Sequence, residues 1–313
     1  MSATSVVTTQ MSKGKVKLSG AQETLLLTLF ARAKDAESPN PILHDQYALE
    51  IVNLIRDQGY DFDRTSPGLL DQRSFSAPVA VRGRMLDICT EKFLQRHKGP
   101  ATVLHLACGM DSRCHRVKWQ GEGRVWIDCD REEVVELRRQ VMRDPDVGGG
   151  AGGGKGGAGG EYRLIHPDIH DDDWLRDAGI PTDRPVLVVF EGLTMYLTRD
   201  EMYGLAQRIV NFFRRHGVRG EMRFDAIGSV AYYGINYVLN APFKRMGTRF
   251  HWCMDDPRTL EKNVSGLKFK DRIFWTPELF RFGAIGLILG FLTWFVDLFA
   301  MAGILGAGYG YEF

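Results

Sequence analysis

The chain has 313 residues, of which 44% are hydrophobic and 25% charged, a composition typical of a globular protein with one large domain or two small ones. Its 40 basic and 39 acidic residues nearly cancel, which argues against nucleic acid as the main partner. The five cysteines are odd in number and contain no C-x-x-C pair, so the sequence predicts neither disulfides nor a metal site, and we expect a reducing, cytoplasmic compartment.

The N-terminal third is predicted to be helical. Residues 1–17 are polar and lack the apolar core of a signal peptide, so we expect a disordered tail there. Apolar residues at helical spacing predict helices at 21–34, 46–56 and 79–96. These helices would form an N-terminal cap that comprises residues 18–100.

Strands and helices alternate through residues 101–281, the predicted core. Apolar runs predict strands at 103–106, 124–127, 162–165, 186–190 and 221–226. Helical spacing predicts helices at 133–142 and 201–213. Nearly continuous apolar strands that alternate with helices predict an α/β domain, with a parallel sheet covered by helices on both faces.

Two segments have an unusual composition. Residues 148–160, "GGGAGGGKGGAGG", cannot bury apolar surface and are predicted to be a flexible insertion within the core domain. Residues 282–313 are predicted to form an apolar C-terminal helix and tail, with the helix at 282–298. A carboxylate at Asp297 would cost about 2.5–3.5 kcal/mol inside a membrane. We therefore expect packing on the domain, with contact to a membrane surface as the alternative and a homodimer through exposed apolar surface as a further expectation.

Acidic residues follow two of the predicted strands. In a parallel sheet the carboxyl ends of the strands share one edge, where ligands bind. The first strand leads into a turn of small residues, the second into Asp128 and Asp130, and the fourth into Glu191. A carboxylate after the second strand is well suited to accept hydrogen bonds from both hydroxyls of a ribose. The sequence therefore predicts a nucleoside-containing cofactor at this edge.

The turn after the first strand, "ACGMDSRC", helps to choose between two cofactor classes. A dinucleotide usually needs G-x-G-x-x-G to seat its pyrophosphate, and that motif is missing. Asp111 would also repel a phosphate. S-adenosylmethionine carries an ammonium, a sulfonium and a ribose but no phosphate, so it fits an acidic turn better.

In their order and spacing, these motifs resemble the leucine carboxyl methyltransferase family, and within it the polyketide-type O-methyltransferase branch. The resemblance covers about residues 18–275 and is carried by "ETLLLTLFARAKDAESPNPILHDQYALEIV", "VRGRMLD", "VLHLACGMDSRCHRV", "VWIDCDREEVVELR" and "VVFEGLTMYLTRDEM". It implies a class I methyltransferase fold, which is a Rossmann-like seven-stranded sheet whose last strand runs antiparallel. It also implies S-adenosyl-L-methionine as the cofactor.

The resemblance further implies which residues contact the methionine end of the cofactor. Arg82 would pair with the carboxylate, since a guanidinium makes that contact with two hydrogen bonds. Arg32 or Lys34 would give a second contact to the same carboxylate. Glu191 would lie near the ammonium.

The same resemblance places the nucleoside end. Asp130 would hold the ribose, with Asp128 as an assistant. Asp168 and Ile169 would flank the adenine, the acid accepting from the exocyclic amine.

Two residues of the turn after the first strand complete the implied cofactor site. Ala107 and Gly109 would pass their backbone beside the methionyl portion. The family usually has glycine where this chain has Ala107, so a methyl group narrows the approach at that point.

The acceptor side is less defined, because methyl transfer to an oxygen needs no catalytic triad. A carboxylate acceptor needs no base, whereas a phenol or an enol would need one nearby. The candidates to line the acceptor or to form an aromatic wall for a flat substrate are Tyr196, His115, His251, Trp252, Tyr232, Tyr233 and Tyr237.

Three hypotheses for the function remain open at the level of sequence. The first is an O-methyltransferase of a small molecule, such as a polyketide or another secondary metabolite. The second is a protein methyltransferase that acts on a C-terminal leucine carboxylate. The third is a non-catalytic protein that binds the cofactor or is tethered to a membrane by its apolar tail.

Overall fold

The computed structural model describes residues 20–62, 73–147, 159–238, 249–273 and 306–313. The predicted tail 1–17, most of the glycine-rich insertion and the predicted helix 282–298 lie outside the described residues. The α-helices are α1 Gly20–Glu37, α2 Gln46–Asp57, α3 Arg73–Arg96, α4 Arg113–Arg116, α5 Glu132–Val141, α6 Trp174–Asp177, α7 Arg199–Arg215, α8 Ser229–Tyr233 and α9 Arg258–Asn263. The strands are β1 Ala101–Leu106, β2 Arg124–Cys129, β3 Glu161–Ile165, β4 Val186–Phe190, β5 Gly220–Ile227, β6 Lys268–Ile273 and β7 Gly306–Glu312.

The strands form one seven-stranded sheet in the order β3-β2-β1-β4-β5-β7-β6. The pairs from β3 to β5 are parallel, and β7 runs antiparallel to both of its neighbours. This arrangement confirms the predicted α/β fold of the class I methyltransferases. The order reverses between β1 and β4, so the edge beyond their carboxyl ends is where a parallel sheet of this kind binds ligands.

The central strands are buried on both faces, which explains their continuous apolar sequences. Every residue of β1 and β4 is buried. Helix α7 covers one face of the sheet with Leu205, Ile209 and Phe213, which are spaced by four residues as predicted. A capping box between Thr198 and Glu201 fixes where this helix begins.

Strand β7 corrects the prediction for the end of the chain. The sequence predicts a C-terminal helix and tail over residues 282–313, but Gly306–Glu312 lie in the sheet between β5 and β6. The sequence "GAGYGYE" alternates small and aromatic residues, and its buried Tyr309 and Tyr311 donate hydrogen bonds to backbone carbonyls of Met254 and Pro257. A side chain in place of Gly310 would collide with Arg223 and Asp271.

The N-terminal cap shares its core with elements at the edge of the sheet where the strands β1, β2 and β4 end, called the cofactor edge below. Leu26 and Phe30 of α1 and Ile51 of α2 belong to one apolar cluster with Met110, from the turn after β1, and Val134 of α5. The cap therefore packs directly against the elements that follow β1 and β2. Among the helices that the structure describes, none is both long and apolar enough to cross a membrane.

Candidate cofactor site

The carboxyl ends of β1, β2 and β4 lie side by side in register. Leu106 pairs with Cys129 on one side and with Phe190 on the other. The residues that come next on each strand are Ala107, Asp130 and Glu191, so three of the predicted site residues leave the sheet at the same edge.

The turn after β1 has an unusual backbone. Ala107 has φ +48° and Gly109 has φ +50°, both in the left-handed region. A Cβ on Gly109 would lie 2.9 Å from Cδ2 of Leu25 in α1, so this position leaves no room for a side chain without a shift. Glycine adopts the left-handed conformation without strain, but Ala107 carries a Cβ. For a non-glycine residue this conformation costs roughly 1–2 kcal/mol.

Asp130 is joined directly to this turn. The backbone N–H of Gly109 donates to its Oδ2 at 2.7 Å, and the N–H of Arg131 donates to its Oδ1 at 2.8 Å. Burial raises the pKa of Asp130, although these two N–H groups act in the opposite direction. Each oxygen retains a second lone pair, so the half-buried carboxylate can still accept hydrogen bonds from a ligand.

Asp128 does not assist Asp130, and that expectation was wrong. Its carboxylate is fully buried, with Oδ1 accepting from His105 and Trp126 and Oδ2 accepting from Arg138 and Tyr162, at 2.7–3.0 Å. Both oxygens are therefore used by the protein itself. Asp128 is a structural carboxylate beneath the site.

The loop after β3 lies next to Asp130. The N–H of Asp130 donates to the carbonyl of Ile165 at 3.2 Å, which places the following loop beside the end of β2. In that loop Asp168 is exposed and accepts from the N–H of His170 at 3.0 Å, while Ile169 is half-buried and packs against the main core. The predicted adenine contacts are thus an accessible carboxylate and an apolar side chain.

Glu191 and Arg82 contact each other directly. Nε of Arg82 donates to Oε1 of Glu191 at 2.9 Å, and Nη1 of Arg82 lies 3.5 Å from Oδ2 of Asp225. Burial raises the pKa of Glu191, but Arg82 and Arg113 outweigh it and hold the pKa below its usual range. Glu191 is therefore ionised, as a contact to an ammonium requires.

Buried arginines are the part of the site that sequence reasoning missed. Arg113 and Arg138 are almost fully buried, and Arg116 nearly so. Burial alone raises the pKa of Asp111, but Arg113, Arg116 and Arg32 hold it well below its usual range. The turn is therefore not an unpaired negative site, and the predicted repulsion of a phosphate by Asp111 is wrong. The missing glycine motif remains the argument against a dinucleotide.

The two residues suggested as a second contact to the cofactor carboxylate lie in different surroundings. Arg32 is buried, with Nη1 3.4 Å from Asp111, and its positive charge acts on Glu191. Lys34 forms an ion pair with Glu37 on the same helix at 3.2 Å. Arg32 therefore points toward the cofactor edge, and Lys34 has a local partner.

The acceptor candidates are also separated by the structure. Trp252 is 6% exposed and belongs to the main core, so its prediction as part of an aromatic wall is wrong. His115 stacks on Tyr47 of α2, with ring centroids 4.2 Å apart, and faces the cap. Tyr233 and Tyr237 are each 60% exposed and stack on each other at 6.0 Å.

Further aromatic residues lie between the ends of β4 and β5. Tyr196 meets Phe250 edge to face at 5.4 Å, and the N–H of the exposed His251 donates to the carbonyl of Met195. The exposed tyrosines lie in α8 and in a π-helix at Gly234–Val238, directly after β5. Helices of this wider type occur frequently at functional sites.

A groove of about 680 Å³ lies at the opposite edge of the sheet, where the strands begin. Its lining includes Pro185, which precedes β4, and Gly220, the first residue of β5. None of the predicted site residues lines it. The length of β4 alone, about 16 Å, separates it from Glu191. Its position excludes it as the cofactor site.

Comparison with known proteins identifies the family. The family model described as leucine carboxyl methyltransferase matches residues 25–210. The chain belongs to this family. It is 58% identical to the S-adenosyl-L-methionine-dependent methyltransferase dpfgK of Gibberella zeae, over 97% of this chain and 98% of that protein. It is 36% identical to the tetracenomycin polyketide synthesis O-methyltransferase TcmP of Streptomyces glaucescens, over 82% of this chain and 84% of that protein.

Membership of the leucine carboxyl methyltransferase family, together with these relatives, makes the chain an S-adenosylmethionine-dependent methyltransferase. This result confirms the predicted cofactor and excludes the non-catalytic hypothesis. A solved structure of a DUF574 family protein from Streptomyces avermitilis aligns with 90% of this chain and 95% of its own, with a TM-score of 0.47 and 10% identity.

The described residues fit this cofactor on their own chemistry. A turn of left-handed backbone leads from β1 past Gly109, where a Cβ would collide with Leu25. Asp130 has free lone pairs that can accept hydrogen bonds from the two hydroxyls of a ribose. Glu191 and Arg82 carry opposite charges, which suit the ammonium and the carboxylate of an amino acid. The exposed Asp168 offers an acceptor for an amine.

Proposed function

We propose that the protein transfers a methyl group from S-adenosylmethionine to an oxygen atom of a small molecule, with a polyketide as the leading class of acceptor. The observation that carries the proposal is the similarity to TcmP over most of both chains. The exposed tyrosines beside the carboxyl edge support it, since aromatic side chains stack favourably on flat ring systems.

The proposed cofactor contacts follow the predicted assignments. Arg82 binds the methionine carboxylate and Glu191 binds the ammonium, both with opposite charges. The backbone of Ala107 and Gly109 borders the methionyl portion.

Asp130 accepts from the ribose, and Asp168 and Ile169 flank the adenine. When bound, S-adenosylmethionine supplies a methyl group on a positively charged sulfur, already activated toward an oxygen lone pair.

The remaining task of the protein is to position the acceptor and to exclude water. Holding two reactants in line can contribute roughly 7–11 kcal/mol without any covalent participation by the protein. In our proposal Tyr196, Tyr233 and Tyr237 orient a flat acceptor on the side of β4 and β5. We assign no catalytic base, because an acceptor carboxylate needs none.

The test is incubation with S-adenosylmethionine that carries a carbon-13 methyl group, with a panel of aromatic polyketides that bear carboxyl, phenol and enol groups. We expect one class to be methylated, and the carbon-13 shift of the transferred methyl group identifies the bonded atom. A methyl group on nitrogen or carbon would contradict the proposal.

A peptide that ends in leucine serves as the matched acceptor for the second hypothesis. We expect no methyl ester on this peptide under conditions in which a polyketide is converted. Methylation of the peptide and of no small molecule would make the protein a C-terminal carboxyl methyltransferase. The Asp130→Ala variant is the control for both reactions, since transfer that depends on the site should fall with it.

A further inference from the structure

Glu191 lies between two arginines that differ in how firmly they are held. Its Oε1 accepts from Nε of Arg82 at 2.9 Å, and its Oε2 accepts from Nη2 of Arg113 at 2.7 Å. The Arg113 side chain is 0% exposed, whereas that of Arg82 is 17% exposed. The two oxygens of one carboxylate thus have one buried partner and one partner that solvent can reach.

Arg113 is fixed by four different groups. Besides Glu191, its Nε donates to Oδ1 of Asp87 at 2.8 Å, its Nη2 lies 3.1 Å from Oδ2 of Asp111, and its Nη1 lies 3.1 Å from Nε2 of His105. A guanidinium only donates, so Nε2 of His105 must accept, and the ring hydrogen is on Nδ1. The planar fork cannot turn without breaking its contacts with Asp87, Asp111 and Glu191 together, and breaking buried ion pairs is strongly unfavourable.

Arg82 is held more loosely. Its second contact, from Nη1 to Oδ2 of Asp225, is 3.5 Å long, at the limit of a hydrogen bond. Asp225 has a firmer partner in the N–H of Gly192, at 2.6 Å. If Arg82 moves away from Glu191, Asp225 therefore keeps its main partner, the N–H of Gly192.

We infer that Glu191 uses its two oxygens for different purposes: Oε2 stays on Arg113, and Oε1 passes from Arg82 to the ammonium of the ligand while Arg82 turns to the ligand carboxylate. The charges balance through the exchange. Glu191 replaces one of its two cations with another, and Arg82 replaces one of its two carboxylates with another. Arg113 is then a positioning residue for ammonium recognition. The inference rests on the proposed assignment of Arg82 and Glu191 to the methionine end.

The experiment is calorimetric titration of the full-length protein with three ligands that remove these groups in turn. S-adenosylhomocysteine has both the ammonium and the carboxylate, its decarboxylated derivative has only the ammonium, and 5′-methylthioadenosine has neither. No acceptor is present, so failure of the O-methylation proposal would not affect the result. If the parent bound all three ligands equally, the assignment of the methionine end itself would be wrong.

Arg113→Lys keeps the charge and removes the fork. We expect it to weaken S-adenosylhomocysteine and the decarboxylated ligand by roughly 10- to 100-fold, the range for hydrogen bonds to charged groups, and to leave 5′-methylthioadenosine within about threefold. Arg82→Met should weaken S-adenosylhomocysteine by a similar factor and leave the decarboxylated ligand within about threefold.

Arg116→Lys is the matched control, because Arg116 lies on the same short helix and pairs with Asp87 and Asp111 but does not touch Glu191. It should affect the three ligands alike. The inference is overturned if Arg113→Lys also affects the three alike, or if Arg82→Met weakens the decarboxylated ligand as much as S-adenosylhomocysteine. Should Arg113→Lys fail to fold, Asp87→Asn loosens Arg113 while retaining it, and the same ligand pattern is expected at smaller size.

Discussion

At the cofactor edge, Asp111, Asp128 and Glu191 are buried and each lies against at least one arginine, whereas residues 229–238 after β5 contain no charged side chain and expose two tyrosines. Buried ion pairs resist rearrangement, because losing one partner leaves the other charge unpaired in a poorly polar interior. Exposed aromatic rings accept flat ligands without such a constraint. In the proposed assignment the cofactor side is thus shaped in advance, except for the exchange at Arg82, and the acceptor side leaves room for different molecules.

The largest effect is expected from removing the arginine beneath the cofactor turn. Arg138 donates to the carbonyls of Gly109 and Asp111 and to the Asp128 carboxylate. Arg138→Met leaves all three without this donor, so the free energy of unfolding should fall by about 3–5 kcal/mol in urea denaturation. Arg139→Met, at the exposed neighbouring position, should change it by less than about 0.5 kcal/mol. Equal effects would mean that the buried pairs do not stabilise this edge.

The ribose assignment is tested by Asp130→Ala. We expect S-adenosylhomocysteine to bind more weakly by about 1.5–3 kcal/mol in calorimetry, because the hydrogen bonds to a charged carboxylate are lost. The fold should survive, since Asp130 follows β2 and does not fill the core. Unchanged affinity would show that another group holds the ribose.

Acid should destabilise the cofactor side through the buried Asp128, whereas residues 229–238 contain no carboxylate to protonate. Burial raises its pKa, but Arg138 and His105 reverse the effect and hold the pKa at about 2. A lowered carboxyl pKa contributes stability that is present above the unfolded value and is lost as the pH falls toward the folded value. The parent should therefore lose roughly 2 kcal/mol of unfolding free energy between about pH 4 and pH 2 through this group. Asp128→Asn should start less stable and show a shallower loss over that range.

The smallest effect concerns the backbone of the turn. Ala107→Gly removes a methyl group from a residue with φ +48°, where glycine is unstrained. The variant should be more stable by about 0.5–1 kcal/mol in thermal or urea unfolding, since relief of strain exceeds the entropy cost of glycine. The matched Ala101→Gly change lies in a strand, where glycine is unfavourable, and should destabilise. A loss of stability in both variants would mean that Ala107 is not strained.

The strands of the core could be predicted because their apolar runs are long and separated by clear helical patterns. Residues 186–190 are the clearest case, since the predicted and observed bounds of β4 coincide. The resemblance implied an antiparallel last strand, but its position at β7 was not predicted. Its glycine and tyrosine alternation follows a long apolar segment, and only pairing with β5 and β6 makes it a strand.

The positions of the candidate site residues were predictable where one strand end determines them and unpredictable where distant segments meet. Asp130 and Glu191 follow from the rule that parallel strands end at a common edge. The pairs of Arg113 with Glu191 and of Arg116 with Asp45 join residues 78 and 71 positions apart, and no local pattern reveals such contacts. For the same reason the different surroundings of Asp128 and Asp130, two residues apart, needed the structure.

Hydrogen exchange of the full-length protein, with and without S-adenosylhomocysteine, tests the division between the two regions most directly. We predict slower exchange of the amides of Gly109, Asp130, Arg131 and Gly192 when S-adenosylhomocysteine is bound. The amides of 229–238 should be unchanged by it and should slow only when an acceptor is added as well. Protection of 229–238 by S-adenosylhomocysteine alone, with none at Gly109 and Asp130, would contradict the account.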